Sequence, residues 1–214
     1  MNIGERVEEY VKHRSFGSVF THQQLVARFG GHGSRISQSL AELQKTQVVM
    51  PIERGLWQRP KKTRFGIVQA SPQTVVSVLE KIREAFIVAA GATALNEIGA
   101  STQMAMKPSY ISTKRIKPIQ LGKTIIKFEY SRSLGSVESK LAGLPAAEKK
   151  QAAKLWVALH YAGEEHARRE LKAFSSAFEH LSEKAQFKLL GVFEGRMKWA
   201  KSVVESSSER AVSV

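Results

Sequence analysis

The feature of this chain that most restricts its fold is the glycine pair Gly30-Gly31, which separates two short amphipathic patterns. Before the pair, Leu25 and Phe29 follow Thr21, a residue typical of a helix N-cap. Two adjacent glycines stop a helix because they tolerate the left-handed backbone of a helix end. We therefore predict a short helix from Thr21 that ends in a tight turn.

The pattern after the glycine pair predicts a second helix. We expect a cap at Gly33-Ser34, and Ile36, Leu40 and Leu43 then recur at i, i+4 and i+7, which gives one buried stripe on a helix. A further helical pattern lies upstream in residues 3–11, and residues 48–58 suggest two strands joined by a turn at 53–55. This order of elements predicts a winged helix-turn-helix domain over residues 1–68.

The rest of the chain mixes strands and helices. Residues 65–70 suggest a linker, and Ser71-Pro72 is typical of a helix start. Alternating apolar and polar residues predict strands within 110–130, residues 132–140 suggest a polar loop, and residues from 145 onward predict three or four helices. We predict an α+β protein whose second domain spans residues 69–214, with a mixed α/β segment followed by a mostly helical C-terminal region.

The charge of the chain favours a polyanionic partner. The net charge is +14 and the isoelectric point is about 10.1, which favours nucleic acid or an acidic protein. Residues 1–70 carry 11 Lys and Arg against 5 acidic residues, whereas residues 151–214 carry 10 against 8. We therefore expect the C-terminal segment to be the part least involved with DNA.

Composition also excludes several kinds of site. The chain has no cysteine, which excludes disulfides, thiolate zinc sites and cysteine nucleophiles. Its longest apolar stretch is far shorter than the roughly 20 residues of a membrane helix, and no export signal opens the chain. We expect a cytoplasmic protein without a membrane partner.

The second helix of a helix-turn-helix enters the major groove of DNA. If its apolar stripe faces inward, Ser34, Arg35, Ser37 and Gln38 face the groove. Arginine can read guanine and glutamine can read adenine, while serines at a helix start suit phosphates. Further phosphate contacts are expected from basic residues at the helix end and the wing: Lys45, Arg54, Arg59, Lys61 and Lys62.

Catalysis has no strong candidate in the sequence. His160 and His166 are six residues apart, which does not match the spacing of two metal ligands on one helix face. The acidic residues nearby form either a cation or acid–base cluster or an ordinary charged helix face. We predict no catalytic residues, no metal and no cofactor, and we expect Trp57, Trp156 and Trp199 to pack in the core.

Several segments together carry a resemblance to a known family. They are GATALNEIGASTQ at residues 91–103, YIST at 110–113, IQLGKTI at 119–125, SLAEL at 39–43 and RGLW at 54–57. These resemble the corresponding motifs of AbiEi-type antitoxins, in which such a run follows an N-terminal winged helix. Ile98 and Ala100 replace the usual leucines, and the likeness is clear over residues 15–130 but loose in the C-terminal helices.

The resemblance implies an antitoxin of a toxin–antitoxin or phage-defence operon. Such a protein would repress its own operon by binding inverted repeats in the promoter, with two copies on a palindromic operator. It would also counteract a nucleotidyltransferase-like toxin, in many such systems without a stable complex.

Two other functions stay open at this point. One is a winged-helix regulator that senses a small molecule in its C-terminal domain, with a pocket lined by Trp156 and Phe174. The other is an enzyme acting on nucleic acid through Glu164, Glu165, His166 and Glu170.

Overall fold

The computed structural model describes residues 2–102 and 107–206. Within them the chain is a mixed α/β protein with a helical C-terminal region, as predicted. The helices are α1 (Ile3–His13), α2 (His22–Arg28), α3 (Gly33–Lys45), α4 (Pro72–Arg83), α5 (Gly91–Glu97), α6 (Arg132–Lys140), α7 (Ala146–Arg169), α8 (Leu171–Glu179), α9 (Glu183–Leu190) and α10 (Trp199–Glu205), with a 3-10 helix at Gly195–Met197. The strands are β1 (Val19–Thr21), β2 (Met50–Glu53), β3 (Leu56–Gln58), β4 (Lys61–Thr63), β5 (Gly66–Val68), β6 (Ile87–Ala89), β7 (Ser109–Ser112), β8 (Ile119–Leu121) and β9 (Thr124–Tyr130).

The chain divides into two compact units. The first unit comprises Met1–Glu84 and Ile119–Ile125, and the second comprises Ala85–Pro118 and Ile126–Val214. Helix α4 and strand β8 therefore belong to the first unit, whereas the domain boundary predicted after residue 68 assigned them to the second domain.

The first unit has the element order of a winged helix. Strands β1, β3 and β2 form an antiparallel sheet with β3 in the middle, and Phe20 pairs with Trp57 in its register. Helix α1 packs on α3, and α2 packs on both α3 and β1. One apolar cluster joins these elements: Val7, Val11, Phe20, Leu25, Phe29, Ile36, Leu40, Leu43 and Val49.

Local sequence signals explain where these helices begin. Asn2 and Glu5 form a capping box at the start of α1, and Thr21 and Gln24 form another at α2. Each box satisfies two backbone N–H groups that a helix start leaves without an intrahelical partner. The predicted cap at Thr21 is confirmed.

A second, two-stranded hairpin follows the winged helix in the first unit. Strands β4 and β5 pair antiparallel, with Thr63 opposite Gly66. The linker predicted for residues 65–70 is wrong, because Gly66–Val68 form strand β5. Five of the six strand residues are exposed, so the strands lack the alternation of buried and exposed residues by which a strand is recognised.

The second unit combines a sheet with packed helices. Strand β6 pairs antiparallel with β7, and β7 pairs parallel with β9, so that β7 lies between the other two. Helix α7 packs against β6, α5, α8, α9 and α10. Between residues 145 and 206 the structure has four α-helices, which agrees with the predicted three or four.

Residues 132–140 form helix α6, where the sequence analysis expected a loop. The hydroxyl of Ser131 accepts a hydrogen bond from the N–H of Leu134 and caps this helix. Leu134, Val137 and Leu141 are buried at i, i+3 and i+7. The serines and Gly135 between them made the segment look like a polar loop, but its apolar spacing is helical.

Candidate nucleic-acid interface

The turn between α2 and α3 is short and built on the glycine pair. Gly30 and Gly31 both have positive φ, and the N–H of Gly31 donates to the carbonyl of Val26 at 3.0 Å. This is the six-to-one bond of a Schellman motif, which ends α2 and turns the chain. The next helix starts two residues later, at Gly33.

Among the described residues, no side chain caps the start of α3. His32 occupies the N-cap position and makes no side-chain hydrogen bond there, which corrects the predicted cap at Gly33-Ser34. Backbone N–H groups in the first turn of an uncapped helix can donate to an external anion, and the helix dipole favours negative charge at that end. The start of α3 is therefore suited to a phosphate group.

The exposed face of α3 carries the predicted base-reading residues. Ile36, Leu40 and Leu43 are buried in the first unit's core, as their spacing predicts. This orientation leaves four polar side chains exposed on the opposite face: Ser34, Arg35, Ser37 and Gln38. The structure brings these four residues together within the first two turns of α3, while their contact with DNA stays a prediction.

A hydrogen-bond network connects this face to α2. Nε2 of His22 lies 2.9 Å from Oγ of Ser37 and 3.1 Å from the carbonyl oxygen of Gly33. The Ser37 hydroxyl also lies 3.0 Å from that carbonyl oxygen. If the hydroxyl donates to the carbonyl and Nε2 carries the hydrogen, His22 donates to Ser37 and all three groups are satisfied. His22 therefore braces the two helices against each other.

Sequence spacing does not identify His22 as part of the candidate interface. Its partner is 15 residues away, so no local spacing reveals the contact. The one available signal was its position directly after the cap Thr21, at the first residue of α2.

The wing between β2 and β3 lies close to the start of α2. Arg54 and Gly55 form its tight turn, where Gly55 has a φ of 78°. The carbonyl of Gly55 accepts a hydrogen bond from the N–H of His22 at 2.9 Å. Arg54 is exposed and lines one shallow depression with His22. The wing arginine and the histidine that contacts Ser37 are therefore near neighbours.

The remaining predicted phosphate contacts differ in their surroundings. Lys45 in the last turn of α3 is exposed, as is Lys61 in β4. Lys62 is also exposed, and its Nζ donates to the carbonyl of Thr46 at 2.9 Å, directly after α3. The β4–β5 hairpin is thus attached to the C-terminal end of α3.

Arg59 is engaged within the first unit. Its guanidinium donates to the carbonyl of Arg14 and lies 4.3 Å above the ring centroid of Phe16. Its backbone also bonds to Gly17 and Ser18. These contacts give Arg59 a structural role that the sequence analysis missed, since its partner Arg14 is 45 residues away.

Two residues at the tip of the β4–β5 hairpin were also missed. Arg64 and Phe65 form the turn, and Phe65 is 87% exposed. The sequence predicts phosphate contacts at Lys61 and Lys62, but Phe65 falls within the predicted linker. The sequence feature that could have predicted this exposed tip is an aromatic residue that follows basic residues, precedes a glycine and belongs to no apolar pattern.

The residues of the alternative catalytic cluster lie on an exposed helix face, where two of the acidic side chains pair with arginines. Arg168 donates to the carboxylate of Glu164 at 2.8 Å, and Arg169 pairs with Glu165. His166 and Glu170 are exposed. Across residues 2–102 and 107–206, no group of three or more histidine and acidic side chains is arranged to hold a metal ion.

The second unit contains a pocket of about 550 Å³. Trp156 and His160 form part of its wall, with their rings parallel and 5.4 Å apart. Lys107 and Lys127 also line it, and Tyr161 is 60% exposed there. Phe174, expected in a pocket beside Trp156, is instead fully buried and does not line this one.

The three tryptophans differ in burial. Trp156 is buried, as expected, although it borders the pocket. Trp57 is half-buried and packs against the core of the first unit, and Trp199 is half-buried as well.

No helix in the described part of the chain is both long enough and apolar enough to cross a membrane.

A comparison with protein families finds a match over the first two thirds of the chain. The chain belongs to a family of unknown function (DUF6088), whose model matches residues 6–140. The match covers the winged helix and continues through α6, and it stops before α7. No curated protein matches the sequence.

Proposed function

We propose that this member of the family binds double-stranded DNA through α3 and acts as a transcriptional autorepressor. The observation that carries the proposal is the exposed face of Ser34, Arg35, Ser37 and Gln38 next to an uncapped helix start. Arginine and glutamine at the start of a recognition helix suit base edges, while the Ser34 hydroxyl and free N–H groups suit phosphates.

The charge around this face supports the same proposal. From Arg54 to Leu79 the chain has five Lys and Arg residues and no acidic residue. Lys45 and Lys61 are exposed near the ends of α3 and β4, and Arg54 is exposed at the wing. A cationic surface on both sides of a recognition helix favours the phosphate backbone of a duplex.

The test is selection of duplexes from a random-sequence pool, followed by gel-shift titration of the recovered sequence. We expect one enriched motif that occurs upstream of the protein's own coding sequence. A palindromic motif would call for two copies of the protein, one for each half-site. Recovery of no motif, together with equal affinity for all duplexes, would contradict the proposal.

The antitoxin role is the narrower part of the proposal. It is supported by the resemblance of residues 15–130 to AbiEi-type antitoxins, and it implies a cytoplasmic protein that counteracts a nucleotidyltransferase-like toxin. The test is co-expression with the product of the adjacent gene. Rescue of growth that persists in the Arg35→Ala variant would support an antitoxin role separate from DNA binding, and absence of any rescue would contradict it.

A second candidate is a winged-helix regulator that senses a small molecule in its second unit. The pocket bordered by the Trp156–His160 stack favours it, since its volume and its mixture of aromatic and polar lining are typical of ligand sites. Lys107 and Lys127 favour an anionic ligand with an aromatic ring. The test is thermal shift with adenosine monophosphate as the probe and adenosine and phosphate as controls. A saturable shift that Trp156→Leu or Lys127→Ala abolishes would support it.

A further inference from the structure

The β4–β5 hairpin is unusual because it covers no core. Five of its six strand residues are exposed, and Thr63 is half-buried. Isolated two-stranded hairpins are marginally stable in water, so this one depends on its attachments. Besides the chain connections, the bond from Lys62 to the carbonyl of Thr46 supplies one such attachment.

The turn of the hairpin is nevertheless well ordered by its own hydrogen bonds. The hydroxyl of Thr63 donates to the carbonyl of Gly66 at 2.9 Å and accepts from the N–H of Phe65 at 3.2 Å. Gly66 has a φ of 118°, a conformation that strains any residue with a side chain. These features present Arg64 and Phe65 at the tip in a defined geometry.

The two tip residues form a unit of their own. The guanidinium carbon of Arg64 lies 4.6 Å from the ring centroid of Phe65, a cation–π distance. Neither side chain reaches the core, and Ile67 and Val68 beside them are exposed too. A cluster of exposed apolar side chains of this kind marks a surface that contacts a partner.

The charge of the hairpin identifies the kind of partner. Lys61, Lys62 and Arg64 are all positive, and the nearest acidic residues in sequence are Glu53 and Glu80. A hydrophobic protein partner would leave the three positive charges without a counter-charge. DNA offers phosphates to these cations and base pairs to the phenylalanine ring. Arginine is attracted to the negative potential of a narrow minor groove, and apolar side chains there wedge between base pairs.

We propose that the hairpin inserts Arg64 and Phe65 into the DNA minor groove beside the segment read by α3, with Phe65 as a wedge that bends the duplex. This inference rests on the proposed DNA-binding function. The attachment of Lys62 to Thr46 holds the hairpin at the C-terminal end of α3. The tip lies two to three residues beyond Lys62, a reach of about 7–10 Å at the rise of a β-strand. That reach is comparable to the groove widths of B-form DNA, about 12 Å and 6 Å.

The test measures DNA bending with a duplex recovered by the wild-type protein from a random pool, labelled at both ends for energy transfer. We expect the wild type to bend this duplex. Phe65→Ala should lose most of the bend and bind about tenfold more weakly, since stacked aromatic contacts to bases contribute at that level. Phe65→Met should retain part of the bend, because methionine also serves as a wedge.

The matched control is Phe187→Ala in α9 of the second unit, where the phenylalanine is 79% exposed. It should leave bending and affinity unchanged. Phe65 touches no core, so the variant should fold, and its circular dichroism spectrum and melting temperature verify this.

Three results would overturn the inference while leaving the proposed function intact. The first is a wild-type complex in which the DNA is straight. The second is a Phe65→Ala complex with the same bend and affinity as the wild type. The third is a lower oligomeric mass of the DNA-free protein in solution when Phe65 is replaced by alanine. The last would identify the hairpin as a contact between copies of the chain. Failure of the wild type to select any sequence would instead remove the proposed function itself.

Discussion

Nε2 of His22 lies 2.9 Å from Oγ of Ser37, and this contact joins the first residue of α2 to the second turn of α3. The same nitrogen lies 3.1 Å from the carbonyl of Gly33, at the start of α3. The relative orientation of two helices in a helix-turn-helix determines which side chains of the second helix reach the groove. A side chain that braces both helices is therefore expected to affect stability and DNA affinity together.

We expect His22→Ala and Ser37→Ala to be coupled in a double-mutant cycle. A hydrogen bond contributes about 0.5–1.5 kcal/mol net to stability, and the coupling energy from urea unfolding should fall within that range. His13→Ala paired with Ser37→Ala is the control cycle, because the His13 ring bonds to the backbone of its own helix at Glu9. Full additivity of His22 and Ser37 would contradict the bracing role.

Arg35→Ala should weaken binding to the selected sequence by about 1–3 kcal/mol, the contribution of one good base contact. Binding to random duplexes should fall much less, since it depends on charge alone. The measurement is a gel-shift titration with both DNAs. Arg196→Ala removes the same charge from an exposed position in the second unit, and it should bind like the wild type.

DNA affinity should fall steeply with salt, because each neutralised phosphate releases counterions. Lys61→Ala should reduce the slope of log K against log salt by about 1, with little change in sequence preference. Lys172→Ala, an exposed lysine on α8, should leave the slope unaltered. Equal slopes for Lys61→Ala and the wild type would show that Lys61 does not contact a phosphate.

Leu40→Ala should destabilise the first unit by about 2–5 kcal/mol, since it leaves a cavity in a packed core. Leu40 has no exposed surface and packs with its neighbours in the cluster that joins α1, α2 and α3. Gln44→Ala, on the exposed side of the same helix, should cost far less. Denaturant unfolding measures both, and similar losses for the two variants would argue against this core.

Tyr110 should titrate at alkaline pH. Burial, and to a smaller extent the negative charge of Glu97, raise its pKa from 10.0 to about 12. Between these two values the folded chain holds a proton that the unfolded chain has lost, so the free energy of unfolding should fall as pH rises from 10 to 12. Absorbance of the phenolate measures the titration, and Tyr130→Phe is the control for an exposed tyrosine.

Tyr110→Phe should stabilise the second unit by about 1 kcal/mol, because a buried hydroxyl without a partner carries an uncompensated desolvation cost. The hydroxyl of Tyr110 has no hydrogen-bond partner among the residues that the structure describes. Its ring stacks on Phe128 at 5.9 Å between centroids, a contact that phenylalanine retains. A loss of stability on this substitution would indicate a partner for the hydroxyl.

Local patterns in the sequence were sufficient to identify the elements of the winged helix. The stripe of Ile36, Leu40 and Leu43 determined which face of α3 is buried, since periodic burial is a property of a single helix. The cap at Thr21 and the glycine pair determined where α2 begins and ends. Because this stripe is buried, the sequence also predicted that Arg35 and Gln38 are exposed on the opposite face.

Tertiary structure decided the features that depend on residues distant in sequence. Arg59 was expected to contact DNA, yet its guanidinium donates to the carbonyl of Arg14. His22 contacts Ser37 on the next helix and not a neighbour on its own helix. The β4–β5 hairpin escaped prediction because it has no buried face and therefore no periodicity. Periodicity in a sequence indicates which side of a single helix or strand is buried. The partner of a polar side chain, by contrast, depends on which distant segment of the chain the fold places beside it.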